Sequence, residues 1–239
     1  MTYFQGFLVP VAADRKDEYL DMARIAATVF ADYGGLGAVE CWGDDVPDGK
    51  VTDMKRAVLA EPTEAIVFSW VWWPDKATAD AAGPKMMADE RMQFSDGEVP
   101  FNPQRMIYGG FSVSQDTGSK GAFGYVDGVV APASGDEATF AERVSALDAL
   151  FLKHGALRLV DGWGVDVPEG KVTDFRRAVA AEPGETVIFG WIEWPDKATR
   201  EAAFAAVMQD PAMQATTPAF NMKRAIFGGF TPILDTDHQ

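Results

Sequence analysis

Two short polar clusters are the places where side chains of this chain could do chemistry. Lys50, Thr52, Asp53 and Arg56 fall within Gly49-Lys-Val-Thr-Asp-Met-Lys-Arg56, and Lys171, Thr173, Asp174 and Arg177 within Gly170-Lys-Val-Thr-Asp-Phe-Arg-Arg177. At that spacing a lysine and an arginine can hold an anionic group while the aspartate orients it. The same Thr-Asp pair can instead N-cap a short helix and staple a long loop to a sheet. Polar identity within one chain fits either reading, and both stay open. Arg105 and Arg224 recur as a further pair that would stand at the mouth of an aromatic pocket between sheet and helices.

Glu193 is the odd charge in an otherwise apolar strand, Ile192-Glu-Trp194. Buried, it would pair with a cation such as Arg177 or Arg224 and become a weak candidate for a catalytic base. Solvated at a strand end it would do nothing, and that reading is favoured. Six of the seven tryptophans pair off as Trp42/Trp163, Trp70/Trp191 and Trp73/Trp194, while Trp72 answers Glu193. Packing of core and sheets is their expected use. No cofactor and no metal site is expected. The two histidines, His154 and His238, are far apart, and Cys41 is the single cysteine. Asp44-Asp-Val-Pro-Asp-Gly49 fails as an EF-hand loop because Lys55 stands where a bidentate glutamate belongs. The glycines around Lys50 miss phosphate-loop spacing.

The composition sets outer limits. With 36 Asp+Glu against 21 Lys+Arg among 239 residues, the net charge is −15. That charge argues against nucleic-acid backbones and anionic membranes as partners. No apolar run approaches a membrane span and the first residues lack a signal-peptide pattern, so a cytoplasmic protein is expected. A small-molecule ligand is one partner class expected.

The elements that must position these residues come twice. Shifting the chain by 121 gives 34 identities in the 61 gapless positions from Tyr33/His154 to Gln93/Gln214. The expected organisation is a first repeat over 1–116, a linker over 117–121 and a second repeat over 122–239. Each repeat reads β-α-β-β-α-β. In the first, strands are expected at Tyr3–Val9 (closed by Pro10), Leu36–Trp42, Ala65–Trp73 and Arg105–Val113. Helices are expected at Asp14–Tyr33 and from an N-capping Asp75, with Pro84 kinking or breaking the second. Along Ala65–Trp73, Ile66, Phe68, Trp70 and Trp72 point one way and Val67, Val71 and Trp73 the other. Helices cover only one face, so the second apolar face needs the other repeat. The expected fold is therefore α+β: two tandem ferredoxin-like repeats packed sheet to sheet as an intrachain pseudo-dimer, the chain itself a monomer or a further homodimer.

The run Trp42-Gly-x-Asp-Val-Pro-x-Gly-Lys-Val-Thr-Asp, the motif Trp73-Pro-Asp-Lys-Ala-Thr78 and the stretch Arg105-Met-Ile-Tyr-Gly-Gly-Phe111 resemble the DUF1428 (YbaA-like) family in both repeats. The resemblance implies a dimeric α/β-barrel fold, here with two copies fused in one chain, and no established reaction. Two functions follow as expectations: a small-molecule binder or cofactor-independent enzyme using the cleft around the Gly-Lys-Val-Thr-Asp loops, or a non-catalytic interaction module.

Overall fold

The computed structural model describes residues 2–94 and 99–236; His238 lies outside them. The first half runs β1 (Tyr3–Ala12), α1 (Lys16–Asp32), β2 (Gly37–Asp45), α2 (Met54–Ala57), β3 (Glu64–Trp73), α3 (Lys76–Ala88) and β4 (Ile107–Gly118). The second runs β5 (Tyr125–Ser134), α4 (Glu137–Lys153), β6 (Arg158–Asp166), α5 (Phe175–Ala178), β7 (Glu185–Trp194), α6 (Lys197–Val207), α7 (Pro211–Ala215) and β8 (Ile226–Asp235). The α+β chain closes into one barrel in the order β1-β3-β2-β8-β5-β7-β6-β4, with β4 returning to β1. Every neighbouring pair is antiparallel.

Each half contributes four strands, ordered β4-β1-β3-β2 and β8-β5-β7-β6. Their inner faces meet, and their outer strands also join edge to edge. β2 pairs with β8 (Trp42 opposite Thr231), and β4 pairs with β6 (Ser112 opposite Trp163). Closure leaves no bare strand edge to seed wrong pairing. β4 runs on through Gly118, so residues 116–118 pair with Val160, Leu159 and Arg158.

Alternation along β3 places its two faces as its sequence demands. Ile66, Phe68, Trp70 and Trp72 belong to the barrel interior, whereas Val67, Val71 and Trp73 pack beneath α1 and α3. The interior is a column of rings in which counterparts stack on one another. Phe68 lies 4.4 Å from Phe189 and Trp70 lies 4.2 Å from Trp191, centroid to centroid. Gly6 and Gly128 make room for these rings. A Cβ on Gly6 would come within 2.7 Å of Phe189, and one on Gly128 within 2.6 Å of Phe68.

The expectation that Pro10 closes β1 is corrected, and Pro84 does not break its helix. β1 continues past Pro10 to Ala12, with Pro10 opposite Ile66. Pairing of β1 with β4 has already ended at Leu8, so the missing proline N–H leaves no ladder bond unmade. Pro84 does not end α3, which continues to Ala88. Asp75 and Asp196 cap α3 and α6 by accepting from the backbone N–H of Thr78 and Thr199. Among the described residues, no helix is long and apolar enough to cross a membrane.

Gly128→Ala drives a methyl group into a stacked ring pair that cannot spread inside a closed barrel. It should lower unfolding stability by about 1–3 kcal/mol in urea denaturation.

Candidate functional site

The two Gly-Lys-Val-Thr-Asp loops meet at one end of the barrel. Asp53 N-caps α2, accepting from Arg56 N–H at 2.8 Å and Gly49 N–H at 3.1 Å, with the Arg56 guanidinium 3.2 Å away. Asp174 does the same for α5, through Arg177 N–H at 2.8 Å and Gly170 N–H at 3.2 Å. The threonines cross between halves: Thr52 donates to the Ala178 carbonyl and Thr173 to the Ala57 carbonyl, both at 2.6 Å. Beneath them Met54, Ala57 and Val58 face Phe175, Ala178 and Val179 as a plug in the barrel core. Lys50 and Lys171 are exposed on the outer side of the loops.

Arg105 forks onto Glu64 at 2.7 Å and donates to the Leu59 carbonyl; Arg224 forks onto Glu185 and donates to the Ala180 carbonyl. Leu59 and Ala180 stand at φ 51° and 47°, a left-handed conformation unfavourable for side-chain-bearing residues. The arginines thus pin the strained turns after α2 and α5. Each of these pairs holds its own turn, and the two arginines do not line the pocket described below.

Glu193 is buried, 1% exposed, which corrects the favoured solvated reading. β7 is a central strand of a closed barrel, so its inward positions have no route to water. The cation beside Glu193 is neither Arg177 nor Arg224 but Arg158, one strand away, at 3.4 Å. Arg158 also forks onto Asp116 at 2.7 and 3.0 Å and lies 5.2 Å over the Trp72 ring. Trp191 Nε1 donates to Glu193 at 3.0 Å.

Among the described residues, one of two hollows against α1 lies between that helix and the outer face of β1, β2 and β3; the other, about 480 Å³, lies beside it along Leu36, Gly37 and Leu234. The first is a chamber of about 320 Å³ walled by Phe7, Tyr19, Met22, Phe30, Phe94 and Phe101, with Ala23 and Ala26 of α1 facing in. Among the described lining residues the one carboxyl is Glu40 of β2, which accepts from the Tyr19 hydroxyl at 2.7 Å, with the Ser69 hydroxyl beside it. Desolvation pushes the Glu40 carboxyl up to about 7, against the pull of the Tyr19 and Ser69 hydrogen bonds. A wall of aromatic and aliphatic carbon with a single tunable acid can hold a flat molecule and exchange a proton with it. Sequence reasoning passed over Glu40. The readable signal was a lone acid at the same place in both second strands, Ala38-Val-Glu-Cys41 and Leu159-Val-Asp-Gly162.

The second half fills the equivalent space. Ala23, Ala26 and Ala27 are answered by Val144, Leu147 and Asp148, and Tyr19 by Phe140. Asp148 and Asp161, the counterpart of Glu40, are buried against each other, and burial raises both carboxyls. The Thr117 hydroxyl donates to Asp148 at 3.0 Å. Among the described residues, no group of three or more His, Cys, Asp or Glu side chains is placed to hold a metal ion.

A closed eight-stranded barrel of two βαββαβ-ordered halves, with helices outside and a pocket beneath one of them, defines a protein of the dimeric α/β-barrel type. Three solved structures share the fold at 8–12% identity. A candidate monooxygenase from Lactobacillus acidophilus aligns over 100% of this chain and 98% of its own with a TM-score of 0.56. An anthrone oxidase-like protein aligns over 98% and 92% at 0.53. A candidate monooxygenase from Fusobacterium nucleatum aligns over 98% and 93% at 0.52. More particularly, the chain belongs to the DUF1428 family, a protein family of unknown function whose profile matches residues 2–103 and again 124–223. The uncharacterised protein YbaA of Escherichia coli K12 is 54% identical over 111 residues, 46% of this chain and 95% of YbaA. YbaA of Shigella flexneri matches to the same extent.

Two outcomes follow. Thr173→Val leaves the Ala57 carbonyl buried without its donor and should cost about 1–3 kcal/mol in denaturant unfolding. Thr52→Val should cost less, because its bond is only part-buried. The second outcome concerns pH. An unfolded Glu40 ionises near ~4.3, so the stability of its neutral folded form is full below that pH and is lost as pH rises through about 7. Glu40→Gln cannot ionise. Its melting temperature relative to the parent should therefore climb between about pH 4.5 and 7.5, contributions common to both proteins cancelling in the difference.

Proposed function

We propose that this chain is a small-molecule-binding protein, built as two tandem ferredoxin-like repeats, whose working site is the pocket beneath α1. The ligand class is a flat, mainly apolar molecule. The observation that carries this reading is the chamber itself: about 320 Å³ of aromatic and aliphatic wall interrupted by one carboxyl. Such a surface is costly to leave unfilled and selects for rings over sugars or phosphates. The fold neighbours include a candidate monooxygenase and an anthrone oxidase-like protein, which supports extending the reading to an enzyme. One observation favours the runner-up, a non-catalytic association module: the barrel interior is a column of packed rings.

A thermal-shift screen against planar aromatic metabolites separates the two. A ligand at 100 times its dissociation constant adds about 2.7 kcal/mol of stability. Hits should vanish in Ala26→Trp, which fills the pocket from α1, and persist in Leu147→Trp, the matching change in the second half. Hits indifferent to Ala26→Trp would overturn the assignment of the site.

A further inference from the structure

We infer that Glu40 is a general base that abstracts a proton from a neutral, planar carbon acid bound in the pocket beneath α1. The inference rests on that pocket being the ligand site, and it names the chemistry done there. Glu40 is part-exposed and lines the chamber directly, and one of its carboxylate oxygens accepts from Tyr19 at 2.7 Å. Tyr19 of α1 and Ser69 of β3 face it, and β8 lies alongside with Leu234 opposite Glu40 in register. Among the described residues that line it, the titratable groups are Tyr19 and Glu40, with no lysine or arginine among them.

A carboxylate in an apolar wall is poorly solvated and therefore a stronger base than in water. Its ordinary partner in catalysis, a hydrogen-bond donor that steadies the charged form without protonating it, is supplied by the Tyr19 phenol. A substrate carrying a full negative charge would meet the carboxylate unshielded. The class is thus a neutral ring bearing a hydrogen on carbon next to an electron-withdrawing group. In the step, the C–H bond breaks, its proton goes to a Glu40 oxygen, and the electron pair stays on the substrate, delocalised into the withdrawing group or expelling a leaving group from the adjacent bond.

The second half has lost this arrangement. Its acid, Asp161, lies against Asp148 rather than an open chamber, and the phenol has become Phe140. One base per chain is expected.

The probe is 5-nitrobenzisoxazole, a planar neutral bicycle. Removal of its C3 proton breaks the ring N–O bond, sends that electron pair to oxygen and releases the coloured 2-cyano-4-nitrophenolate, with no other reactant. The full-length protein should accelerate this reaction along a curve that rises with pH and levels off above about 7. Glu40→Gln should lower the rate by roughly 100-fold or more, the usual contribution of a positioned base. Tyr19→Phe should keep the plateau rate within an order of magnitude but move the midpoint to higher pH, because the carboxylate loses its hydrogen bond. A purely structural role for Tyr19 would leave the midpoint in place. Occupancy is measured separately, by calorimetry with the 3-methyl derivative, which lacks the labile hydrogen. Binding of that derivative with equal rates for parent and Glu40→Gln overturns the base while leaving the pocket as the ligand site. Absence of binding by either compound overturns both.

Discussion

The whole molecule depends on the aromatic inner faces of two four-stranded sheets finding no partner except each other. Phe4, Phe68, Trp70 and Trp72 from one half, and Phe189 and Trp191 from the other, bury too much apolar surface to face water. Bringing the faces together puts the outer strands within reach of one another, and the β2–β8 and β4–β6 ladders then seal the edges. Helices are left only the outside. The loops before α2 and α5 are drawn over one barrel end, where the Thr52 and Thr173 hydroxyls tie each half to the other's carbonyl. With rings packed through the middle, the chamber beneath α1 lies outside the barrel.

Much of this was legible in the chain. The alternation along β3 assigned its two faces before any coordinates, because a strand covered on both sides must be apolar at nearly every position. The Pro-Asp before α3 and α6 announced two N-caps. Closure at the edges was not legible, since nothing in β2 or β8 alone shows which strand lies beside it. Glu193 misled for the same reason. Its cation comes from β6 and that cation's other carboxylate from β4, so no window of sequence contains the group. Glu40 was missed because a single acid in a strand looks like a solvated position until a helix is known to cover it.

The two halves have divided along the helix that covers each sheet. α4 sits on β4 through Thr117–Asp148 and through Ser112 and Ser114, both donating to Glu137. α1 presents alanines where α4 presents valine, leucine and aspartate, and the space they leave is the pocket. The half with the smaller side chains keeps the chamber; the half with the larger ones packs Phe140, Val144 and Asp148 of its helix against its sheet.

The position shared by Trp72 and Glu193 has a genetic consequence. When two identical polypeptides assemble about an axis, whatever occupies such a site is present twice, and a useful change in one copy arrives in both. Two glutamates there would demand two arginines in a crowded core; two tryptophans would forgo the acid. Encoding both halves in a single gene removes that tie. Here Gly37 beside Trp72 answers Arg158 beside Glu193, so each half could mutate against the other rather than against itself. The same release makes it affordable for one half to keep a chamber that the other has filled, a division of labour closed to any assembly whose members share one sequence.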